Sequence, residues 1–111
     1  MVLNSEVYVS IEQQLNYPMF SFLRRNPNFK NEGNFLLARV RTFRSGEVIP
    51  VRLSKSSEMS AQQGGGYFVR KVLIGSDSLD EAVLEVSLSR GHRVKNATVD
   101  GGELIPVKEW E

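Results

Sequence analysis

The chain has no cysteine and a single histidine. Without thiols it has no disulfide, no zinc–thiolate centre and no sulfur nucleophile. With His92 alone, a serine–histidine–aspartate relay has one possible base, and no spaced set of His, Asp and Glu carries a metal-site pattern. Long apolar runs are missing too. None approaches the ~20 residues of a membrane-spanning helix, so no membrane partner is expected. Residues Met1 to Glu6 lack the basic and apolar regions of a secretory signal, and the expected location is cytoplasmic. Gly64-Gly65-Gly66 lacks the Lys-Ser/Thr end of a phosphate loop and leads into strand-like residues. Asn96-Ala97-Thr98 matches a glycosylation acceptor but has no secretory context. No catalytic residue and no cofactor is assigned on these grounds, and an enzyme is the less favoured reading.

What the 111 residues do contain is a normal globular balance, 41% hydrophobic and 24% charged, which predicts one domain, 1–111. The net charge of +1 conceals a split. Residues 24–71 hold ten basic against three acidic residues, whereas residues 72–111 hold four against eight. Such asymmetry points to a basic face for an anionic partner or to head-to-tail self-association.

A short phrase occurs twice. Gly46-Glu47-Val48-Ile49-Pro50-Val51-Arg52 returns as Gly102-Glu103-Leu104-Ile105-Pro106-Val107-Lys108, each preceded by a basic triplet, Arg39-Val40-Arg41 and Arg93-Val94-Lys95. The repeat predicts two related β-hairpins in pseudo-repeat halves, 1–53 and 67–111, joined by a flexible Ser-, Gln- and Gly-rich loop, 54–66. In the first hairpin a two-residue turn at Ser45-Gly46 would place Ala38, Val40 and Thr42 with Ile49, Val51 and Leu53 on a core face. Pro50 would then lie opposite Arg41 at a non-hydrogen-bonded site and mark an edge strand. On the other face Arg39 would stand across from Arg52, with Arg41 and Phe43 nearby. The second hairpin is expected to run from His92 to Trp110, turning at Asp100-Gly101-Gly102, with Trp110 docked against the body.

Elsewhere, Val7, Val9 and Ile11 alternate as a strand, and residues 18–25 are predicted to be a helix burying Met19, Phe22 and Leu23. Asn26 to Asn34 reads as a loop and Tyr67 to Ile74 as a central strand. Ser78 and Glu81 form a capping-box signature for a second helix that buries Leu79, Ala82, Val83 and Val86 and stops at Gly91, with His92 as its C-terminal cap. Leu84 and Leu88 would sit on a flank available equally to another protomer or to the first hairpin. The resulting order predicts an α+β domain: two βαββ-like halves or a ferredoxin-like sandwich, with two helices on one face of an antiparallel or mixed sheet.

The expected function is a non-enzymatic interaction or assembly module, self-associating into a homo-oligomer, whose cationic face meets an acidic protein surface. Arg39, Arg41, Arg52, Phe43 and Arg70 are the expected contact residues. The alternative is single-stranded RNA binding, with Tyr8 and Phe68 as stacking residues on an RNA-recognition-like sheet.

Overall fold

The computed structural model describes residues 26–110. They form eight strands, β1 (Lys30–Glu32), β2 (Phe35–Thr42), β3 (Val48–Ser54), β4 (Ser60–Ala61), β5 (Tyr67–Ile74), β6 (Glu81–Leu88), β7 (Val94–Asp100) and β8 (Gly102–Leu104), followed by one 3-10 turn, Val107–Glu109. Strands β1, β2 and β3 make one antiparallel sheet, with β8 added beside β1 on the same edge of β2. Strands β4 to β7 make a second antiparallel sheet in sequence order. Predicted strand 7–11, predicted helix 18–25 and Tyr8 lie outside the described residues.

The two sheets share one core. Leu36, Ala38, Val40, Ile49, Val51 and Leu53 from the first pack with Val69, Leu73, Ala82, Leu84, Val86 and Leu88 from the second. The sets on β2, β3 and β6 follow the two-residue period of a half-buried strand, so these strands send alternate side chains into the shared interior, and β5 adds Val69 and Leu73. The fold is a β-sandwich, and the α+β expectation is overturned. The segment Ala82-Val83-Leu84-Glu85-Val86-Ser87-Leu88 alternates apolar and less apolar residues as well as it fits a helical stripe. Pairing with β5 on one side and β7 on the other satisfies its backbone along the length of the strand and selects the extended form. The residues of the predicted cap have other partners. Ser78 donates to Glu47 and accepts from the Asp80 amide, and Leu79, expected inside a helix, is 72% exposed with φ +63°.

The first hairpin has the predicted faces in a different register. Thr42 pairs with Glu47 around a four-residue loop, its amide donating to the Glu47 carbonyl (2.9 Å) while Gly46, at φ +83°, donates to the Thr42 carbonyl (3.0 Å). Val40 therefore opposes Ile49 and Ala38 opposes Val51, a two-residue shift from a Ser45-Gly46 turn. Because side chains alternate with period two, that shift changes every partner and leaves both faces intact. Pro50 now faces Arg39, again at a non-hydrogen-bonded rung, and β3 pairs with β2 alone among the described residues. The proline's missing N–H thus costs the ladder nothing.

There is no second hairpin of the predicted kind. Strand β7 pairs with β6 in one sheet, and at Gly101-Gly102 the chain crosses to the other, where β8 pairs with β2. Both copies of the repeated phrase consequently flank the same strand. Their offset is one residue: Ile49 and Leu104 both oppose Val40. Ser54–Gly66 is structured by the β4–β5 pairing and by a glycine turn in which Gln62 donates to Gly66 (2.9 Å) and Gly65 to Gln62 (3.0 Å). Within the expected 26–34 loop, β1 pairs back onto β2 through a turn at Gly33-Asn34.

At one end of the sandwich the β2–β3 and β5–β6 loops are locked together by two carboxylates. One Asp80 oxygen accepts from the Thr42 hydroxyl (2.8 Å), the Ser45 amide (3.0 Å) and the Ser45 hydroxyl. Reciprocally, Glu47 accepts from the Ser78 hydroxyl (2.6 Å) and from the amides of Ser78 (2.9 Å) and Asp77 (3.2 Å). The Ser78 hydroxyl first, and then the two amides, hold Glu47 below its ordinary pKa. For Asp80 the Ser45 and Thr42 hydroxyls have the same effect. A depressed folded pKa means that the contribution is present above the unfolded carboxylate range, about 4, and is lost as pH falls through the folded values. The urea midpoint is expected to hold steady from neutral pH to about pH 5 and to drop below about pH 4, with Glu47→Gln and Asp80→Asn each weakening the fold at neutral pH and flattening that acid drop. Variants with an unchanged acid profile would refute the clasp.

Candidate functional site

The outward face of the β1–β2–β3 sheet gathers three of the four arginines singled out from the sequence. Along β2, Phe35, Leu37, Arg39 and Arg41 alternate with the core residues and point away from them. Arg52 joins from β3, opposite Leu37, and Glu103 joins from β8, opposite Arg41. Arg39 and Arg52 are thus diagonal neighbours, not directly opposed, and the like-charge contact implied by a two-residue turn does not arise.

Each arginine has its own support. The Arg52 guanidinium lies over the Phe35 ring, 3.8 Å from its centroid. Arg39 lies over the Trp110 ring at 4.8 Å and donates to the Trp110 carbonyl at 3.0 Å. Trp110 is itself fixed by an indole N–H donated to the Ile105 carbonyl (3.0 Å), so the expected docking of the chain's aromatic end is present. Ile105 is buried outside the central core cluster, next to this stack. Arg41 pairs with Glu103 at 3.4 Å. A guanidinium stacked on a ring keeps its planar edge available for carboxylate or phosphate oxygens while its body is desolvated on one side. Arg52 makes no ion pair and no side-chain hydrogen bond among the described residues.

Phe43 continues this row into the β2–β3 loop and is 69% exposed. Leu79, on the clasped β5–β6 loop, was expected in a helix core and is instead exposed. A leucine held at positive φ with its side chain in solvent has no sequence signature, because the left-handed region is normally left to glycine.

The remaining sequence-derived candidates are elsewhere. Arg70 lies on the outward face of the opposite sheet, directly across from Glu85 and paired with it at 3.4 Å. Phe68 shares that face, on the far side of the sandwich from Arg39 and Arg52. Of the residues that an RNA-recognition-like sheet would hold together, Phe68 and Arg70 are therefore on one surface and Arg39, Arg41 and Arg52 on the other. Leu84 and Leu88 are 0% and 2% exposed in the core, out of reach of a second protomer. Trp110 and Phe35, the rings beneath the arginines, were missed because neither is near its arginine in sequence.

The two outward faces carry opposite charge. Lys30, Arg39, Arg41 and Arg52 stand against Glu32 and Glu103 on the first sheet, leaving two positive charges. On the paired rungs of the second, Arg70 stands against Glu81, Glu85 and Asp100, an excess of two negative charges, with the exposed Lys95 of the β7 bulge outside this count. Among the described residues no three His, Asp or Glu side chains lie together as metal ligands, and no helix is long and apolar enough to cross a membrane. Comparisons with protein-family models, curated proteins and solved structures give no match.

Proposed function

We propose that the protein is a non-enzymatic binding and assembly module whose cationic sheet face engages an acidic protein surface, and that a second copy can supply that surface through the acidic face of its own β4–β7 sheet. The observation that carries this reading is the pair of ring-supported guanidiniums, Arg39 on Trp110 and Arg52 on Phe35, set on one face of a sandwich whose other face is acidic. Rigid arginines with aromatic neighbours are the residue types that concentrate binding energy at protein interfaces. Front-to-back association of this kind is heterologous, so it produces open chains of protomers unless the rotation closes a ring. With only two net charges on each face the attraction is short-ranged and screened by salt.

Size-exclusion chromatography with light scattering tests the assembly. The mean mass is expected to rise with protein concentration at low salt and to fall toward the monomer at high salt. Arg52→Glu is expected to give a monomer under all conditions without loss of thermal stability, because the Arg52 side chain is exposed and its partner ring remains in place. Combining it with Glu81→Arg is expected to restore association. A strict monomer at every concentration and salt level refutes self-association.

A further inference from the structure

The two ends of the sandwich are closed differently. The Glu47 and Asp80 clasp seals one. At the other, Asn26 to Asn31 and Lys55 stand on one side and Gly91 to Val94 on the other, with a cleft of about 180 Å³ between them. No hydrogen bond between described residues joins the two sides. The floor of this cleft is apolar, made by buried Phe29 and Leu36 and half-buried Val94. Its rim carries Lys55, His92 and Arg93 together with Asn26 and Asn31, and no carboxylate among the described residues lines it.

The rim is partly organised in advance. The Lys55 ammonium donates to the Asn31 side-chain carbonyl and to the Gly33 carbonyl (2.9 Å), which fixes its position and leaves one of its three protons uncommitted. Arg93 forms no ion pair among the described residues. His92 is held at φ +63°, in the left-handed region that non-glycine residues seldom occupy. Its ring stacks on Tyr67 with centroids 4.2 Å apart and planes 16° from parallel. Backbone strain of this sort collects where a side chain must be aimed at a ligand. As a helix cap His92 would have had a purely local role; beside Tyr67 it becomes a rigid wall of the cleft.

We propose that this cleft binds a small organic anion, a carboxylate carried on one aromatic ring or a short aliphatic body. The apolar floor takes the body, Lys55 and Arg93 take the carboxylate, and Asn26 and Asn31 lie within the same lining to fix its orientation. The volume, below the ~300–1,000 Å³ of pockets for drug-sized ligands, limits the body to about a single ring. A bare anion would leave Phe29, Leu36 and Val94 uncovered, and a neutral ligand would leave the cationic rim unanswered. This site is independent of the sheet face that binds protein.

Nuclear magnetic resonance titration of the full chain with benzoate, benzamide and inorganic phosphate decides the matter. Benzoate is expected to shift the amides of Asn31, Lys55 and Gly91 to Val94 saturably at millimolar concentration, with benzamide and phosphate each at least about tenfold weaker. Arg93→Gln and Lys55→Gln are each expected to weaken benzoate about tenfold while leaving the spectrum of the core amides in place. Equal affinity for benzoate and benzamide, binding of phosphate as tight as benzoate, or no saturable shift at these residues would each overturn the proposal.

Discussion

Leu84→Ala is expected to lower the unfolding free energy by about 2–5 kcal/mol, the range for a leucine removed from a closed core. The side chain is wholly buried on the middle of β6, packed among residues of both sheets. Its immediate neighbours, Ala82 and Val86, lie on a strand hydrogen-bonded on both edges, so the backbone cannot move in to fill the space. Urea denaturation followed by tryptophan fluorescence and circular dichroism reads the loss as a lower midpoint. The same experiment separates a core leucine from an interface leucine. In the core, the loss is independent of protein concentration. At a protomer interface, one of the two places open to a helical Leu84, it grows on dilution. A loss below about 1 kcal/mol, or one that changes with concentration, would contradict the sandwich.

Gly101→Ala and Gly102→Ala are expected to release β8 from the first sheet, each at a cost of at least about 1–3 kcal/mol. This dipeptide carries the chain from one sheet to the other. Gly101 sits at φ +88°, and a Cβ there would lie 2.8 Å from the Glu81 carbonyl oxygen. At Gly102 a Cβ would lie 2.6 Å from the Arg41 carbonyl oxygen. Both obstacles are backbone atoms of paired strands, which cannot swing aside as a side chain would. Amide hydrogen exchange locates the damage: the Ile105 amide, which donates to the Arg39 carbonyl (2.9 Å), is expected to lose its protection while β6 amides keep theirs. Loss of β8 also removes the support of Trp110, so Arg39 should lose its ring. Unchanged protection at Ile105 would show that the crossover tolerates a side chain.

The physical reasons for what the sequence disclosed are local. The alternation of Leu36, Ala38, Val40 and Thr42 with Arg39 and Arg41 identifies a strand with one wet face whichever partner it has. Pro50 identifies an edge because its missing N–H must point away from a partner, and it does so in either register. Tyr67–Ile74 is a strand as read, and Trp110 is docked as expected. The register was invisible for the same reason that the faces were visible, since a two-residue shift preserves both. The Phe43–Gly46 loop that sets it is held by Asp80, in the β5–β6 loop of the other sheet.

Residues 81–88 show where local information ends. Ala82, Val83 and Val86 suit a helical stripe, and Ala82, Leu84, Val86 and Leu88 suit a strand; Ser78 and Glu81 tipped the sequence reading toward a helix. The choice was made by β5 and β7, which offer backbone partners on both edges of this segment at once. The repeated phrase is a similar case. Its two copies both pair with β2, yet they approach from opposite edges and one residue apart.

By itself, then, the sequence determined the inward and outward faces of β2 and β3, the edge position of Pro50, the extent of β5, and the grouping of Arg39, Arg41 and Arg52 on one surface. Side-chain period and proline chemistry require nothing beyond neighbouring residues. Tertiary structure alone decided that β6 is a strand, that Gly101-Gly102 joins two sheets, that Phe35 and Trp110 lie under the arginines, and that Lys55 and Arg93 face one cleft. Each of these depends on segments distant in sequence meeting in space, where backbone hydrogen bonds and core packing across the two sheets outweigh local preference.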